Sequence, residues 1–183
     1  MSGPLHRVTK AIAAFDTAID TRVDRFRGHP HVDRLMYAAS ELGDFSLIWH
    51  LLSTTRALAP DRRPIHAVRV AAILGVESAL VNGPVKQVFR RHRPVWEQER
   101  PHRLRRPRTS SFPSGHASAA MTAAGLLAHN DPLWPLYYAV GAVVAGSRVY
   151  VRIHHPSDVV AGALLGVALA QVARRAWPFP DGE

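Results

Sequence analysis

Long apolar blocks alternate with strongly polar segments along this chain, and the blocks are helical in character. Five of them stand out, at residues 45–59, 65–85, 116–129, 133–151 and 159–173. None alternates with the period of two that a half-buried strand requires, so an all-α fold is expected. Ahead of them, Ile12, Phe15, Ile19, Val23 and Phe26 recur at helical spacing within residues 8–27, while Asp16, Asp20 and Asp24 form an acidic stripe. That pattern predicts an amphipathic helix with the stripe as a solvated face, of the kind that lies in a membrane interface. His29-Pro30 interrupts it, and residues 31–42 read as helical again.

A spanning helix needs about 20 predominantly apolar residues. The second and fourth blocks reach that length most readily; the others need flanking residues. All five are rich in small residues, and Gly162 and Gly166 have the GxxxG spacing that lets helix backbones approach closely. Trp49, Trp134, Tyr137, Tyr138, Tyr150 and Trp177 fall near block ends, as an interfacial aromatic belt would. The expected architecture is a membrane-embedded helical bundle of about five spans behind an N-terminal interfacial helix. It is read as a single domain over 1–183, with N-terminal helices at 1–43 and the core at 44–176. No cleavable leader is expected, because the first apolar stretch is short and broken by charges.

Composition narrows the partners. The 183 residues carry a formal net charge of +9, which favours anionic ligands, and no cysteine, which excludes thiolate metal sites and cysteine-nucleophile phosphatases. Scattered histidines such as His29 and His31 read as loop residues rather than metal ligands, and no metal or cofactor is expected.

The chemistry gathers at block ends. Residues 86–116 are densely basic and hold four prolines, so they cannot form one continuous helix. They contain Lys86, then Arg93-Pro94, then Pro113-Ser114-Gly115-His116. Between the fourth and fifth blocks lie Ser147-Arg148, His154, His155 and Asp158. Ser114 suits the cap of a helix starting at Gly115 or His116, whose exposed N–H groups favour an anion, and glycine lets an oxygen come close to them. Pro156 suits the first position of the next helix, with Asp158 in its first turn. From there the carboxylate can fold back onto one ring nitrogen of His154, which sits in the extended stretch before the helix, and leave the other free.

The order and spacing of these clusters resemble the three-part signature of the type 2 phosphatidic acid phosphatase (PAP2) superfamily: K-x6-RP at Lys86 to Pro94, PSGH at Pro113 to His116, and SR-x5-H-x3-D at Ser147 to Asp158. The resemblance covers about residues 40–175 and points to the small bacterial membrane lipid phosphatases. It implies that His154 attacks phosphorus to form a phosphohistidine, that Asp158 orients it, and that His116 protonates the leaving oxygen and then activates water. Lys86, Arg93, Ser114, Gly115 and Arg148 would bind the phosphate oxygens. His155 is adjacent, but it lacks the family spacing and directly precedes proline.

The implied substrate is a lipid phosphate in a bilayer: a polyprenyl phosphate or diphosphate, decaprenylphosphoryl-phosphoribose, phosphatidic acid or phosphatidylglycerophosphate. Rival readings are a phosphotransferase, a vanadium haloperoxidase-like enzyme on the same scaffold, and a nucleic-acid-binding protein, against which the small-residue apolar helices argue. Arg90, Arg91, Arg100, Arg103, Arg105, Arg106 and Arg108 are left over and read as a solvated, lipid-facing basic loop. With five spans the three clusters share one face with Arg22, Arg25 and Arg27, and the positive-inside rule makes that face of a multi-pass cell-membrane protein cytoplasmic.

Overall fold

A computed structural model describes residues 3–59, 64–96 and 101–178, apart from Arg103, Arg106 and Arg108, and every regular element among them is helical. Helix α1 (Pro4–Asp24) and α2 (Pro30–Leu42) each start on a proline, whose missing N–H costs nothing at that position. His31 therefore lies inside the first turn of α2 and not in a loop. A short 3₁₀ turn (Asp44–Ser46) leads into α3 (Leu47–Ala57). Helix α4 (Ile65–Leu80) widens through a π-helical turn (Val81–Val85), where Pro84 cannot donate, and tightens again in α5 (Lys86–Val88). An irregular segment then leads to α6 (Gly115–Leu127), α7 (Trp134–Tyr150) and α8 (Pro156–Ala176).

Helix α6 is the centre of the bundle. It packs most extensively against α8 and α7, and also against α4. Its run of alanines makes this possible: Ala117, Ala120, Ala123 and Ala124 are fully buried, so the helix is apolar on nearly every side. Trp49, Val70, Leu74 and Val144 close the core around it. A smaller cluster of Tyr37, Tyr150, Val151 and Ile153 lies under the α7–α8 corner.

Three expectations change. First, the helices long and apolar enough to cross a membrane among the described residues are Ile65–Val88 and Pro156–Ala176, the second and fifth blocks rather than the second and fourth. The fifth gains length from Pro156 and from Arg174 and Arg175 in its last turn. The fourth stops at Tyr150, because the carbonyl of Arg148 captures the amides of both Ile153 (3.1 Å) and His154 (3.1 Å) while Arg152 turns left-handed at φ 48°. His154 consequently lies in a tight bend instead of an extended stretch. Second, the aromatic belt splits: Trp49, Tyr137 and Tyr150 are core residues, whereas Trp134, Tyr138 and Trp177 are exposed.

Third, the acidic stripe of α1 is a solvated face only in part, since Asp20 and Asp24 keep exposure but Asp16 does not. Asp16 is buried and accepts from the Ser157 amide (2.7 Å), the Ser157 hydroxyl (2.9 Å) and Arg91 (2.6 Å). Asp20 (2.6 Å) accepts from Arg27, and Asp24 (2.6 Å) accepts from Arg152. Arg27 also donates to the carbonyls of Val149 and Tyr150, at 2.8 Å each. The polar edge of α1 thus faces the protein, and Val8, Ile12, Phe15 and Phe26 face outward. Large apolar side chains are likewise exposed on α3 (Leu47, Leu51), α4 (Val68, Val76, Leu80) and α8 (Val160, Leu164, Val172).

Candidate active site

The three clusters converge. Lys86, Gly115, His116, Arg148 and His154 line one cavity of about 440 Å³ at the ends of α5, α6 and α7. Each is placed by a local device. The π-helical turn brings Lys86 inward, where it is buried. Ser114 caps α6 by accepting the Ala117 amide (3.4 Å), and its own amide donates to the Asp158 carbonyl (3.0 Å), tying the start of α6 to that of α8. Ser114 is therefore fully buried and does not line the cavity; its neighbour Gly115 does. Arg148 is fully buried in the last turn of α7 and bonds the hydroxyl of Ser40 on α2.

His154 is only 2% exposed, and its two nitrogens have distinct surroundings. Nε2 lies 3.2 Å from Arg93 Nη1. A guanidinium can only donate, so Nε2 is the lone-pair nitrogen and Nδ1 carries the proton. Nδ1 is 3.6 Å from Asp158 Oδ2, slightly too long for a hydrogen bond. Arg93 is held by the carbonyls of Thr109 (3.2 Å), Ser110 (3.1 Å) and Ile153 (3.0 Å). Burial, and after it the cations Arg148, Arg93 and Lys86, outweigh Asp158 and push the His154 ring down to about 3. The imidazole is a free base at any ordinary pH.

Asp158 sits behind His154 without lining the cavity. It accepts from the Ser111 hydroxyl, the His155 amide (2.9 Å) and Arg91 Nη1 (2.6 Å). His155 points elsewhere, its Nε2 3.2 Å from the carbonyl of His92. His116 Nε2 lies 3.0 Å from Asp44 Oδ1. Among the described residues no group of three or more His, Asp or Glu side chains could hold a metal ion.

The profile of the PAP2 superfamily matches residues 66–180, more than half of the chain. The chain belongs to the PAP2 superfamily. Like the relatives it matches, this PAP2 chain is a phosphatase. It is 35% identical over 137 residues to the decaprenylphosphoryl-5-phosphoribose phosphatase of Mycolicibacterium smegmatis, covering 74% of this chain and 73% of that one. It is 44% identical over 63 residues to the undecaprenyl-diphosphatase of Sulfolobus acidocaldarius, covering 33% and 31% respectively. In fold it is similar to the crystal structure of a transmembrane PAP2-type phosphatidylglycerolphosphate phosphatase from Bacillus subtilis, with a TM-score of 0.70, 23% identity, and coverage of 91% and 86%.

Three residues at the site escape sequence reading. Arg91, counted above among the solvated arginines, instead bridges Asp158, Ser157 (2.8 Å) and Asp16. The signal was present in the acidic stripe of α1, which needed a cationic partner, but nothing in the sequence says which arginine supplies it. Arg105 also leaves the solvated group: it lines the cavity and lies over the Phe45 ring at 4.6 Å. Arg100, Arg103, Arg106 and Arg108 lie outside the described residues.

Asp44 is the third. Phe45 and Ser46, at φ 53° and 57°, hold the left-handed conformation that side chains disfavour, and this turn carries Asp44 to His116. Gly43 is required beside it: a Cβ there would come 2.7 Å from His116 Cδ2 and 2.9 Å from Val144 Cγ1. Burial would push the Asp44 carboxyl up, but His116, Arg148 and Arg105 outweigh it and hold the group below the usual carboxylate range. Asp44 is thus anionic at neutral pH and partly offsets burial and Arg148, which together hold the His116 ring below the usual imidazole range. If His116 acts as an acid, Asp44→Asn moves the basic limb of kcat/KM to lower pH by about one unit. A limb left in place would remove Asp44 from the proton chemistry.

Proposed function

We propose that this protein hydrolyses the phosphate monoester of a membrane lipid, without a metal ion, through a phosphohistidine. The reading rests foremost on His154: a buried, neutral imidazole whose unprotonated Nε2 borders a cavity lined by cations. Nε2 attacks phosphorus in line as the P–O bond to the lipid alcohol breaks, and His116 delivers a proton to the departing oxygen. His116 then takes a proton from water as the water attacks the phosphohistidine, and the N–P bond breaks to release inorganic phosphate and restore Nε2. Lys86, Arg93, Arg148 and the Gly115 amide bind the equatorial oxygens, where charge is greatest in the transition state. Ser114 contributes by holding the helix start, and Asp158 by holding the charged ring. Vanadate shares the shape of that transition state and belongs here as an inhibitor.

Substrate and setting follow from the same observations. A lipid phosphate monoester such as decaprenylphosphoryl-5-phosphoribose is the first candidate, supported by similarity to the mycobacterial relative along most of the chain. A polyprenyl diphosphate is the second, supported over a shorter stretch. The whole chain acts as one domain. The exposed apolar faces of α3, α4 and α8 support a multi-pass bundle in the cell membrane, with α6 and α7 crossing beside them. The outward apolar edge of α1 supports an interfacial helix pinned beside the site by Asp16. Arg22, Arg25 and the basic segment after α5 share that end, which favours a cytoplasmic site; Arg27 counts less, because it is committed to Asp20, Asp24 and two carbonyls.

Quenching with alkaline SDS during turnover of a 32P-labelled lipid phosphate is expected to trap label on His154, base-stable and acid-labile, with EDTA present throughout. The acid limb of kcat/KM is expected well below pH 6.5, because the free enzyme keeps His154 unprotonated down to about pH 3. Activity that needs added divalent metal, or label on another residue, would overturn the mechanism.

A further inference from the structure

One buried carboxylate in the cavity has no task in the chemistry above. Glu77, on α4, is 2% exposed and lines the same space as His116, Arg148 and His154. Its Oε1 has no hydrogen-bond partner, although the side chain interacts with the Ser118 hydroxyl and feels the charge of Lys86. It lies within Ile65–Val88, a helix long and apolar enough to cross a membrane. An ionisable group at that depth is costly and marks a functional position. The same cavity is lined by the polar Ser46, His50, Ser78 and Asn82 and by Ala71, Leu74 and Gly75.

A buried acceptor left unpaired costs the full loss of its hydration. Its natural partner is a donor carried by the ligand. The phosphoryl group is not that partner, because its oxygens are anionic acceptors and Glu77 would repel them; they belong on the cationic side of the cavity. The alcohol end of the ester therefore passes Glu77. A phosphate attached directly to a prenyl chain brings only hydrocarbon there, which would leave the carboxylate stranded. An ester whose alcohol carries further hydroxyls satisfies it.

We propose that Glu77, with the polar wall of Ser46, His50, Ser78 and Asn82, forms a subsite for a hydroxyl-bearing unit, a sugar or glycerol, between the phosphate and the lipid tail. This rests on the lipid phosphatase reading above and deepens it. The cavity volume of about 440 Å³ suits a phosphate and one such unit. The tail leaves past the exposed apolar face of α4, where Val76 and Leu80 lie.

The test uses the full chain purified in detergent and three substrates: a prenylphosphoryl ribose 5-phosphate, a phosphatidylglycerophosphate and farnesyl phosphate. Wild type is expected to favour one of the hydroxylated esters over farnesyl phosphate, and the preferred one distinguishes sugar from glycerol. Glu77→Leu should lower kcat/KM for that ester at least about tenfold, in line with the loss of a buried hydrogen-bonding group, while farnesyl phosphate changes less than about threefold. Glu77→Gln, which keeps shape and an acceptor oxygen, should fall between, and it carries the test if the leucine variant does not fold. An equal fall on all three substrates would make Glu77 a support for Lys86 and overturn the subsite, as would no fall on any. Wild type inactive on every lipid phosphate would instead sink the lipid phosphatase reading beneath it.

Discussion

His154→Ala and His116→Ala are each expected to stop phosphate release from a lipid phosphate, by about 10³-fold or more for His154 and about 10²–10⁴-fold for His116, with or without EDTA. The two losses differ in kind. Without Nε2 no phosphoenzyme forms, so no label is trapped. Without the His116 proton a departing alkoxide is too basic to leave, and a substrate with a good leaving group, such as p-nitrophenyl phosphate, should restore a burst of p-nitrophenolate in His116→Ala without steady turnover, which still needs His116 to activate water, and should restore neither in His154→Ala. His155→Ala serves as the control. Its ring faces the His92 carbonyl, and the contribution of residue 155 to Asp158 comes from the backbone amide, which alanine keeps. Activity within a few-fold of wild type is expected there. Normal turnover in His154→Ala, or a dead His155→Ala enzyme of intact fold, would reverse the assignment between the two neighbours.

The second large effect is structural. Helices α6 and α8 touch backbone to backbone at Gly162 and Gly166. A Cβ on Gly162 would overlap the Ser114 carbonyl oxygen and lie 3.2 Å from the Ser114 amide; one on Gly166 would overlap the Ser118 carbonyl and lie 3.0 Å from Met121 Cβ. Neither obstacle is the flexible end of a side chain, so the helices must separate. Gly166→Val is expected to cost about 1–3 kcal/mol or more in stability, seen as a lower unfolding temperature in detergent. Gly162→Val should do that and more. It moves Ser114, whose amide is bonded to the Asp158 carbonyl, and so shifts the start of α6 relative to His154. A displacement near 1 Å in such a site costs about 10²-fold in rate. Gly146→Ala is the matched control, since nothing lies within 4 Å of a Cβ there. If Gly162→Val were as stable and active as Gly146→Ala, the close contact would not exist.

The arrangement at Asp158 has a further consequence. Its carboxylate is held by Ser111, Arg91 and the His155 amide, and Arg91 in turn holds Asp16 on α1. The helix whose apolar edge faces outward is thereby connected, through one guanidinium, to the residue behind His154.

Much of this was legible in the linear chain. Apolar blocks at helical period fix an all-helical chain, because burial must follow the 3.6-residue repeat. The clusters at block ends identify the cup, because cap, glycine, proline and carboxylate preferences act within one turn of the residues that carry them. Those rules are local, and they place Ser114, Pro156 and Asp158 correctly. They fail where the partner is remote. The stripe of α1 resembles a solvated face in every local respect, and only docking against α8 turns Asp16 inward onto Ser157 and Arg91. Asp44 meets His116 across 72 residues of chain through a left-handed turn that no propensity favours. Glu77 reads as one polar residue in an apolar helix until the cavity around it is known. Charge pairing depends on distance in space, and distance in space is set by how helices pack, so the identity of each partner was decided by the tertiary structure alone.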